Sequence, residues 1–333
     1  MTAAAGAVVA VVLNWNKSDE TIACVRSLQR QTWPDLSILV IDNGSSADQL
    51  ALLRANLGDA QLIRHETNLG FTGGVNTGLR HASEAGADYI WLVNNDLVAP
   101  ADTLRRLVAA IAAEPAIGLA SPVIRNADTG GTIDFCGGFW SGNRQDFSTT
   151  VDPDTYRRWE REMPGQIWLA GTALLVRRQA YERIGLFDDR FFAYWEDNDY
   201  SMRSIRSGFR NIMVLDAEVF HRSGVNAPGA PGRPPHFFYY MARNEVLFWK
   251  KHGRSVMGLK QIWWTFERQF RQALRLRGSP DRVAALELGL WDGLWGRVGA
   301  YDPHRRLSPP GQMLFGLARP AIALCRDRGQ AEN

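Results

Sequence analysis

Apolar and polar positions alternate along the first half of the chain in a repeating arrangement: a short apolar run, a polar break, then an amphipathic stretch. Val8 to Leu13 is a six-residue apolar run closed by Asn14-Trp15-Asn16, and Ser18 or Asp19 caps a helix expected to reach about Gln31. Ser37 to Ile41 repeats the pattern, ends in Asp42-Asn43-Gly44-Ser45-Ser46, and is followed by a helical pattern over Ala47 to Asn56. A third strand, Gln61 to Arg64, leads into the glycine-rich stretch Asn68 to Gly78, read as a loop, and then a helix to about Ala85. The fourth strand lies in Asp88 to Pro100, where an apolar run too short for a helix stops at Asn94, Asn95 and Asp96. Short apolar strands alternating with helices predict an α/β fold with a mostly parallel, doubly wound sheet.

Parallel strands deliver their last residues to one edge, where ligands of open α/β sheets sit. Asn14, Asn16, Asp42, Asn43, Asn95 and Asp96 form that polar row, and Asp96 is placed to hold a divalent cation against phosphate oxygens. The four glycines from Gly70 to Gly78 allow close backbone approach to a phosphate, or they make a glycine-rich turn with no ligand.

Beyond a helix over Asp102 to Ala113 and a strand over Ile117 to Val123, periodicity weakens, and residues 125–165 read as a long irregular insertion. Order returns at Ile167 to Val176, which includes Trp168, Gly171 and Thr172. A dense cluster follows from Phe187 to Tyr200. Its Glu196, Asp197 and Asp199 crowd the start of a helix expected from Asp197 to Gly208. Such carboxylates cap a helix, yet aromatics such as Trp195 beside them exclude water and raise a carboxyl pKa towards that of a base. A strand over Asn211 to Leu215 comes next, with His221 beyond a further apolar run.

Composition narrows the field. Of 333 residues, 45% are hydrophobic and 22% charged, the balance of a globular protein of one large domain with an appendage, or two domains. Cys24, Cys136 and Cys325 match no metal-ligand spacing or disulfide framework, which fits a reducing cytoplasm. No signal peptide is evident around Thr2 to Gly6, and no 18-residue apolar run predicts a membrane span. The net charge of +3 is uneven: residues 250–333 carry 15 Lys and Arg against 7 Asp and Glu, leaving residues 1–249 at −5. The boundary is placed near residue 250. Within the basic part, Trp263, Phe266, Phe270 and Leu274 recur at helical spacing among Arg268, Arg271, Arg275 and Arg277 in a helix from Val256 to Arg277. That stripe either packs on the first 250 residues or on a second subunit, as in a homodimer, or lies on the inner face of a plasma membrane. Nucleic acid is not an expected partner, because no basic stripe accompanies the acidic first 249 residues.

Taken together, these segments resemble the family 2 inverting glycosyltransferases of the GT-A nucleotide-diphospho-sugar fold, in order over roughly residues 7–250. Asn-Leu-Gly-Phe, Gly-Gly-Val-Asn and Tyr239-Tyr240…Arg243-Asn244 look most like bacterial rhamnosyltransferases of polysaccharide and cell-envelope assembly. The resemblance implies a nucleotide-binding part over about residues 1–125, an acceptor-binding part over 126–250, and a basic helical region over 251–333. It implies that Asp42 contacts a pyrimidine base, that Asn14, Asn16, Asn43, Gly70, Asn76, Asn95 and Asp96 line the donor site, and that Asp96 with His221 holds Mg²⁺ or Mn²⁺. Trp168, Gly171, Thr172 and Trp195 would border a saccharide or lipid-linked acceptor. Asp197 would be the base and Glu196 would orient the acceptor. Asn94 departs from the family's Asp-x-Asp signature, which bears on the metal more than on the fold. The donor implied is dTDP-rhamnose; a UDP-sugar such as galactofuranose, N-acetylglucosamine or glucose would use the same scaffold. A nucleotidyltransferase would carry a basic glycine-rich loop after the first strand, which Asn14 to Glu20 is not, and a non-catalytic nucleotide-sugar or glycan-binding protein is the other alternative.

Overall fold

The computed structural model describes residues 6–141, 146–222, 232–253, 255–276 and 278–316; Thr2, Arg277 and Cys325 lie outside them. The chain divides into two compact units, residues 1–189 with 196–228, and residues 190–195 with 229–333.

In the first unit the opening repeats are strand β1 (Val8–Asn14), helix α1 (Ser18–Leu28), β2 (Leu36–Asn43), α2 (Ala47–Asn56), β3 (Gln61–His65), α3 (Gly70–Glu84) and β4 (Tyr89–Asn94). Then come β5 (Leu97–Val98), α4 (Thr103–Ala113), β6 (Ile117–Asn126), β7 (Ile133–Phe135), β8 (Gly138–Ser141), β9 (Asp146–Thr149), α5 (Pro153–Glu162) and β10 (Ile167–Trp168). The unit closes with β11 (Ala173–Arg177), α6 (Arg178–Ile184), α7 (Glu196–Arg206) and β12 (Arg210–His221).

The main sheet runs β3-β2-β1-β4-β11-β6-β12-β5, with β7 joined to β6. Strands β1 to β4 are mutually parallel, as the continuous apolar runs predict for strands covered on both faces. β11 runs antiparallel between β4 and β6. Register fixes the polar edge: Asn14 sits opposite Asp42 and Leu13 opposite Asn94, so the strands end level.

The glycine-rich stretch is helix rather than loop. Helix α3 begins at Gly70, and a Cβ on Gly74 or Gly78 would lie 2.3 Å from Leu13 Cδ1 or 2.2 Å from Val11 Cγ1. These glycines let the helix backbone settle onto β1, and tertiary packing overrides their poor helix propensity. Residues 125–165 are also more regular than expected. β8, β9 and β10 form a separate antiparallel sheet, and α5 starts where the Asp152 side chain accepts from the backbone N–H of Asp154 and Thr155, with Pro153 at the first helical position. Tyr156 anchors that helix, its buried hydroxyl accepting from Met213 N at 2.8 Å. β12 continues to His221 as a single strand, its pairing to β6 shifting register between Val214 and Glu218.

The second unit contains α8 (Pro235–His252), α9 (Ser255–Arg275) and α10 (Pro280–Trp295). The helix α8, grouped by the sequence reading with the first 250 residues, belongs to this unit. Phe238, Ala242 and Val246 of α8 share a core with Phe270, Ala273, Leu286, Leu290 and Phe315. Gly289 and Gly293 bring α10 against the α8 backbone, where a Cβ would meet Tyr239 O at 2.3 Å or Arg243 O at 2.8 Å. The expected single stripe on α9 is split: Phe266 and Phe270 join this core, whereas Trp263 is 71% exposed. Among the described residues no helix is long and apolar enough to cross a membrane.

A Gly78→Ala substitution tests the helix-on-strand contact, because Val11 is buried and β-branched and cannot rotate away. It should destabilise the protein by about 1–3 kcal/mol, the usual cost of overpacking. Gly165→Ala, where a Cβ meets nothing within 4 Å, should leave the melting temperature nearly unchanged.

Candidate active site

At the carboxyl edge of the parallel strands the polar side chains form a connected network. Asn14 Nδ2 donates to Asp42 Oδ1 at 2.9 Å and to Ser45 Oγ at 3.0 Å, and Asn14 Oδ1 accepts from Thr21 Oγ1 at 2.7 Å. Asn95 Nδ2 extends the chain to Thr21 Oγ1 at 2.9 Å. The second Asp42 oxygen faces Ser45 N at 3.4 Å and Arg64 Nε at 4.0 Å. Asn14 and Asp42 are fully buried, so their hydrogen bonds are internal to the edge. Asn43 braces the turn into α3, donating to Asn68 Oδ1 and Gly70 O and accepting from Leu69 N. Gly70 N itself donates to Asn68 Oδ1 at 2.8 Å. Asn16, with φ of 52°, receives Ser46 N on its Oδ1 and lies at the exposed rim beside Trp15. Asn76 stands apart from the edge. Its buried amide ties Phe187 and Asp189 down, with bonds of 2.6–3.0 Å in both directions.

Asp96 lies in the turn between β4 and β5, and antiparallel pairing of β5 with β12 sets His221 opposite Leu97. His221 Nε2 is 3.0 Å from the buried Asp96 Oδ1, an ion pair when the imidazole is protonated. Burial pulls the His221 pKa down, and the Asp96 carboxylate, aided by Asp134 and Asp128, outweighs it and raises it. One carboxylate oxygen with spare lone pairs facing one imidazole nitrogen fits a divalent cation that takes its remaining ligands from phosphate and water. Among the described residues no group of three or more His, Cys, Asp or Glu side chains is placed to hold a metal ion.

The stretch from Trp168 to Thr172 links this edge to the carboxylate pair. Asn94 N donates to Thr172 O at 2.9 Å, and Gly171 N donates to Asp197 Oδ2 at 3.2 Å. A Cβ on Gly171 would come within 3.5 Å of Asp197 Cβ and 4.0 Å of the Phe71 ring, so Asp197, Gly171 and the first turn of α3 adjoin one another. The Trp168 ring covers Gly138 and packs on Phe135 and Phe147; its buried indole N–H has no protein acceptor.

Three carboxylates open α7, and the structure treats them differently. Asp199 is buried and bonded to Arg203 Nε at 2.9 Å. Asp197 keeps part of its surface accessible although protein surrounds its carboxyl group; Asn198 N donates to its Oδ1 at 2.8 Å. Burial raises its pKa against the pull of these N–H groups. Glu196 is buried, its Oε2 has no hydrogen-bond partner, and burial followed by the Asp197 and Asp199 charges raises its pKa well above the ordinary value. Immediately before them, Phe192, Tyr194 and Trp195 adopt φ of 63°, 69° and 71°. Bulky residues there cost on the order of 1–3 kcal/mol each and persist only when the surroundings dictate them. Thr21 joins Asn14 to Asn95, a role that its spacing in an ordinary amphipathic helix does not signal.

Mixed sheet, level polar strand ends and flanking helices are those of a GT-A-type glycosyltransferase. Across 96% of this chain and 81% of its own, the structure of the mannosyltransferase PcManGT from Pyrobaculum calidifontis, in complex with GDP-Man and Mn²⁺, superposes with a TM-score of 0.54 at 19% identity. The model of glycosyl transferase family 2 matches residues 9–185, and the chain belongs to that family. An N-acetylglucosaminyl-diphospho-decaprenol L-rhamnosyltransferase of Mycobacterium tuberculosis is 29% identical, over 80% of this chain and 92% of its own length. The galactofuranosyltransferase GlfT1 of the same organism is 26% identical, over 91% and 98%.

The raised Glu196 pKa has a thermodynamic sign. A carboxyl group that holds its proton more tightly folded than unfolded favours folding when protonated, and stability falls as pH rises from its unfolded towards its folded pKa. Glu196→Gln should therefore raise the melting temperature at neutral pH, and the gain should vanish in acid, where wild-type Glu196 is itself neutral.

Proposed function

We propose that the protein is an inverting, metal-dependent glycosyltransferase that moves a sugar from a nucleotide diphosphate to a hydroxyl of a saccharide or lipid-linked acceptor. The observation that carries this reading is the Asp197 carboxyl group, raised in pKa, partly accessible, and joined through Gly171-Thr172 to the strand end before Asp96. An acceptor hydroxyl attacking the anomeric carbon opposite the departing diphosphate must lose a proton to a group within hydrogen-bond reach. Asp197 is that general base, its pKa raised by burial above that of an exposed aspartate, and Glu196 beside it orients the acceptor. One displacement suffices, and no covalent intermediate on the protein is needed.

Asp96 and His221 would hold the cation, with Asn94 leaving Asp96 as the carboxylate of the motif. Bound there, a divalent cation supplies Lewis-acid stabilisation to the charge gathering on the diphosphate. Asn14, Asp42, Asn43 and Asn95 shape the donor pocket by bracing its edge, leaving its rim to Trp15 and Asn16. The rhamnosyl relative makes dTDP-rhamnose the first donor to test, and the galactofuranosyl relative makes UDP-galactofuranose the second.

The test is a thermal-shift panel of dTDP-, UDP- and GDP-sugars with and without Mn²⁺, followed by transfer assays on wild type and Asp197→Asn. A ligand at a hundredfold excess over its dissociation constant stabilises the fold by about 2.7 kcal/mol. One nucleotide sugar should give a metal-dependent shift in both proteins, while Asp197→Asn loses about 10²–10⁴-fold in rate. Wild-type activity should fall as pH drops through the raised Asp197 pKa, because protonation removes the base. No shift with any donor would favour the glycan-binding alternative instead.

The outer face of α9 supports a lipid-linked acceptor. Leu259 and Trp263 are 69% and 71% exposed, Trp264 is exposed beside them, and Lys260, Arg271 and Arg275 interleave with them. Exposed tryptophans among basic residues suit the headgroup region of an anionic bilayer. The relative named for a diphospho-decaprenol acceptor is in keeping with that placement. The protein should co-sediment with phosphatidylglycerol vesicles but not with phosphatidylcholine ones, and the double variant Trp263→Ser, Lys260→Glu should lose at least tenfold in binding; equal binding of the variant would remove the membrane role.

A further inference from the structure

Helix α8 presents two adjacent buried residues, Arg243 and Asn244, whose donors converge on the backbone of residues 190–195. Asn244 Nδ2 reaches the carbonyls of Phe191 at 2.8 Å, Ala193 at 2.7 Å and Tyr194 at 2.7 Å. Arg243 Nη2 donates to Phe191 O at 2.7 Å and Arg190 O at 3.2 Å, Nη1 donates to Gly299 O at 2.7 Å, and Nε donates to Asn244 Oδ1 at 2.8 Å. Arg243 is wholly buried, and among the described residues no carboxylate lies within ion-pair distance of it. Its charge is met by those carbonyls and by the rings of Tyr239 and Tyr240, 5.2 and 4.9 Å from the guanidinium carbon.

A buried cation with no carboxylate in direct contact, Asp292 acting on it only from a distance, is costly to keep, so the carbonyl array it serves is the feature to explain. Left-handed residues at 192, 194 and 195 fold the chain so that successive carbonyls point inward to one place, where only convergent N–H donors can satisfy them. The same helix grips the side chains: Phe192 stacks on Tyr240 at 5.3 Å, Tyr194 meets Phe237 edge-on at 5.1 Å, and Trp195 packs on Phe248 at 5.3 Å. One peptide bond after Trp195 comes Glu196, and then Asp197.

We propose that Arg243 and Asn244 are positioning residues for the carboxylate pair: they hold residues 192–195 in the left-handed conformation, and the chain enters Glu196 and Asp197 directly from that segment. This rests on Asp197 being the base. An amide is required at 244, because it offers N–H groups to three carbonyls while its own oxygen accepts from Arg243. A carboxylate of the same shape has no such donors and would face the carbonyl oxygens with negative charge. A guanidinium is required at 243, because it reaches carbonyls in two directions from one rigid plane, which an ammonium group cannot do.

The experiment uses the full chain labelled with 5-fluorotryptophan, the Trp195 resonance being assigned with Trp195→Phe, and compares wild type, Asn244→Asp and Arg243→Lys. Both variants should displace or broaden the Trp195 fluorine resonance while binding dTDP-rhamnose and Mn²⁺ within twofold of wild type. Their kcat for dTDP release from dTDP-rhamnose in the presence of acceptor should fall by about 100-fold at unchanged donor KM, the cost expected for misplacing a catalytic group by about 1 Å. The acid limb of their pH–rate profile should also move. A Trp195 resonance unchanged in a folded variant overturns the proposal, as does a displaced resonance with undiminished kcat. Should Asn244→Asp fail to fold, Arg243→Lys and Asn244→Gln carry the same readouts. Asp197→Asn run in parallel separates the two assignments: full activity there refutes the base, while the fluorine spectra still judge the clamp.

Discussion

Removing a carboxylate from water is the constraint around which the candidate site is arranged. Asp42, fully buried, accepts from Asn14 and faces Ser45 N, and Asp199, fully buried, is paired with Arg203. Among the described residues Glu196 receives no such compensation at Oε2, and Asp197 receives backbone N–H groups but no cation. The chain therefore possesses the means to satisfy a buried carboxylate and uses them one helical turn away, at Asp199. Leaving Glu196 and Asp197 under-compensated lowers stability at neutral pH, and a group retained at that cost belongs to function more naturally than to folding.

Much of this arrangement was legible in the sequence because it depends on periodicity and on strand ends. Continuous apolar runs such as Val8 to Leu13 define parallel strands, and parallel strands oblige Asn14, Asp42 and Asn94 to end level. The start of α7 was legible from its carboxylates. What periodicity could not show was how a residue's polar atoms are used. Asn76 reads as a member of a glycine-rich ligand loop, yet its amide secures Phe187 and Asp189. Gly74 and Gly78 read as phosphate-approach glycines, whereas their missing Cβ atoms admit Leu13 and Val11. Long-range contacts decide such cases, and no local pattern encodes them.

The region from 125 to 165 gives a second physical reason for the shortfall. Its strands are three or four residues long, below the length at which alternation becomes recognisable, and its helix α5 is marked chiefly by the Asp152-Pro153 cap. The α9 stripe failed in the opposite way: the spacing of Trp263, Phe266 and Phe270 is regular enough to suggest one buried face. The core formed with α8 and α10 needs only part of that arc, so Trp263 is left in solvent.

Polar side chains along the strand edge are largely satisfied within the protein. Along the strand edge Asn14, Asn43 and Asp42 have internal partners, and such a network is stiff because no member can rotate without leaving another unpaired. Asp96 Oδ1 has only the His221 imidazole beside it, and Glu196 Oε2 and the Trp168 indole N–H are buried with no hydrogen-bond partner among the described residues. Other buried polar atoms without a hydrogen-bond partner, such as Trp91 Nε1 and the Tyr200 hydroxyl, sit in the scaffold, whereas these three lie in the stretches proposed for the metal, the acceptor and the proton transfer. Bound substrate would supply an anion's counter-ion at the first, a hydroxyl at the second and an acceptor oxygen at the third. A rigid, saturated edge beside an unsaturated one gives the ligand a fixed frame and a set of interactions that only the ligand can complete, and this is the condition under which binding energy goes into orientation instead of rearranging the protein.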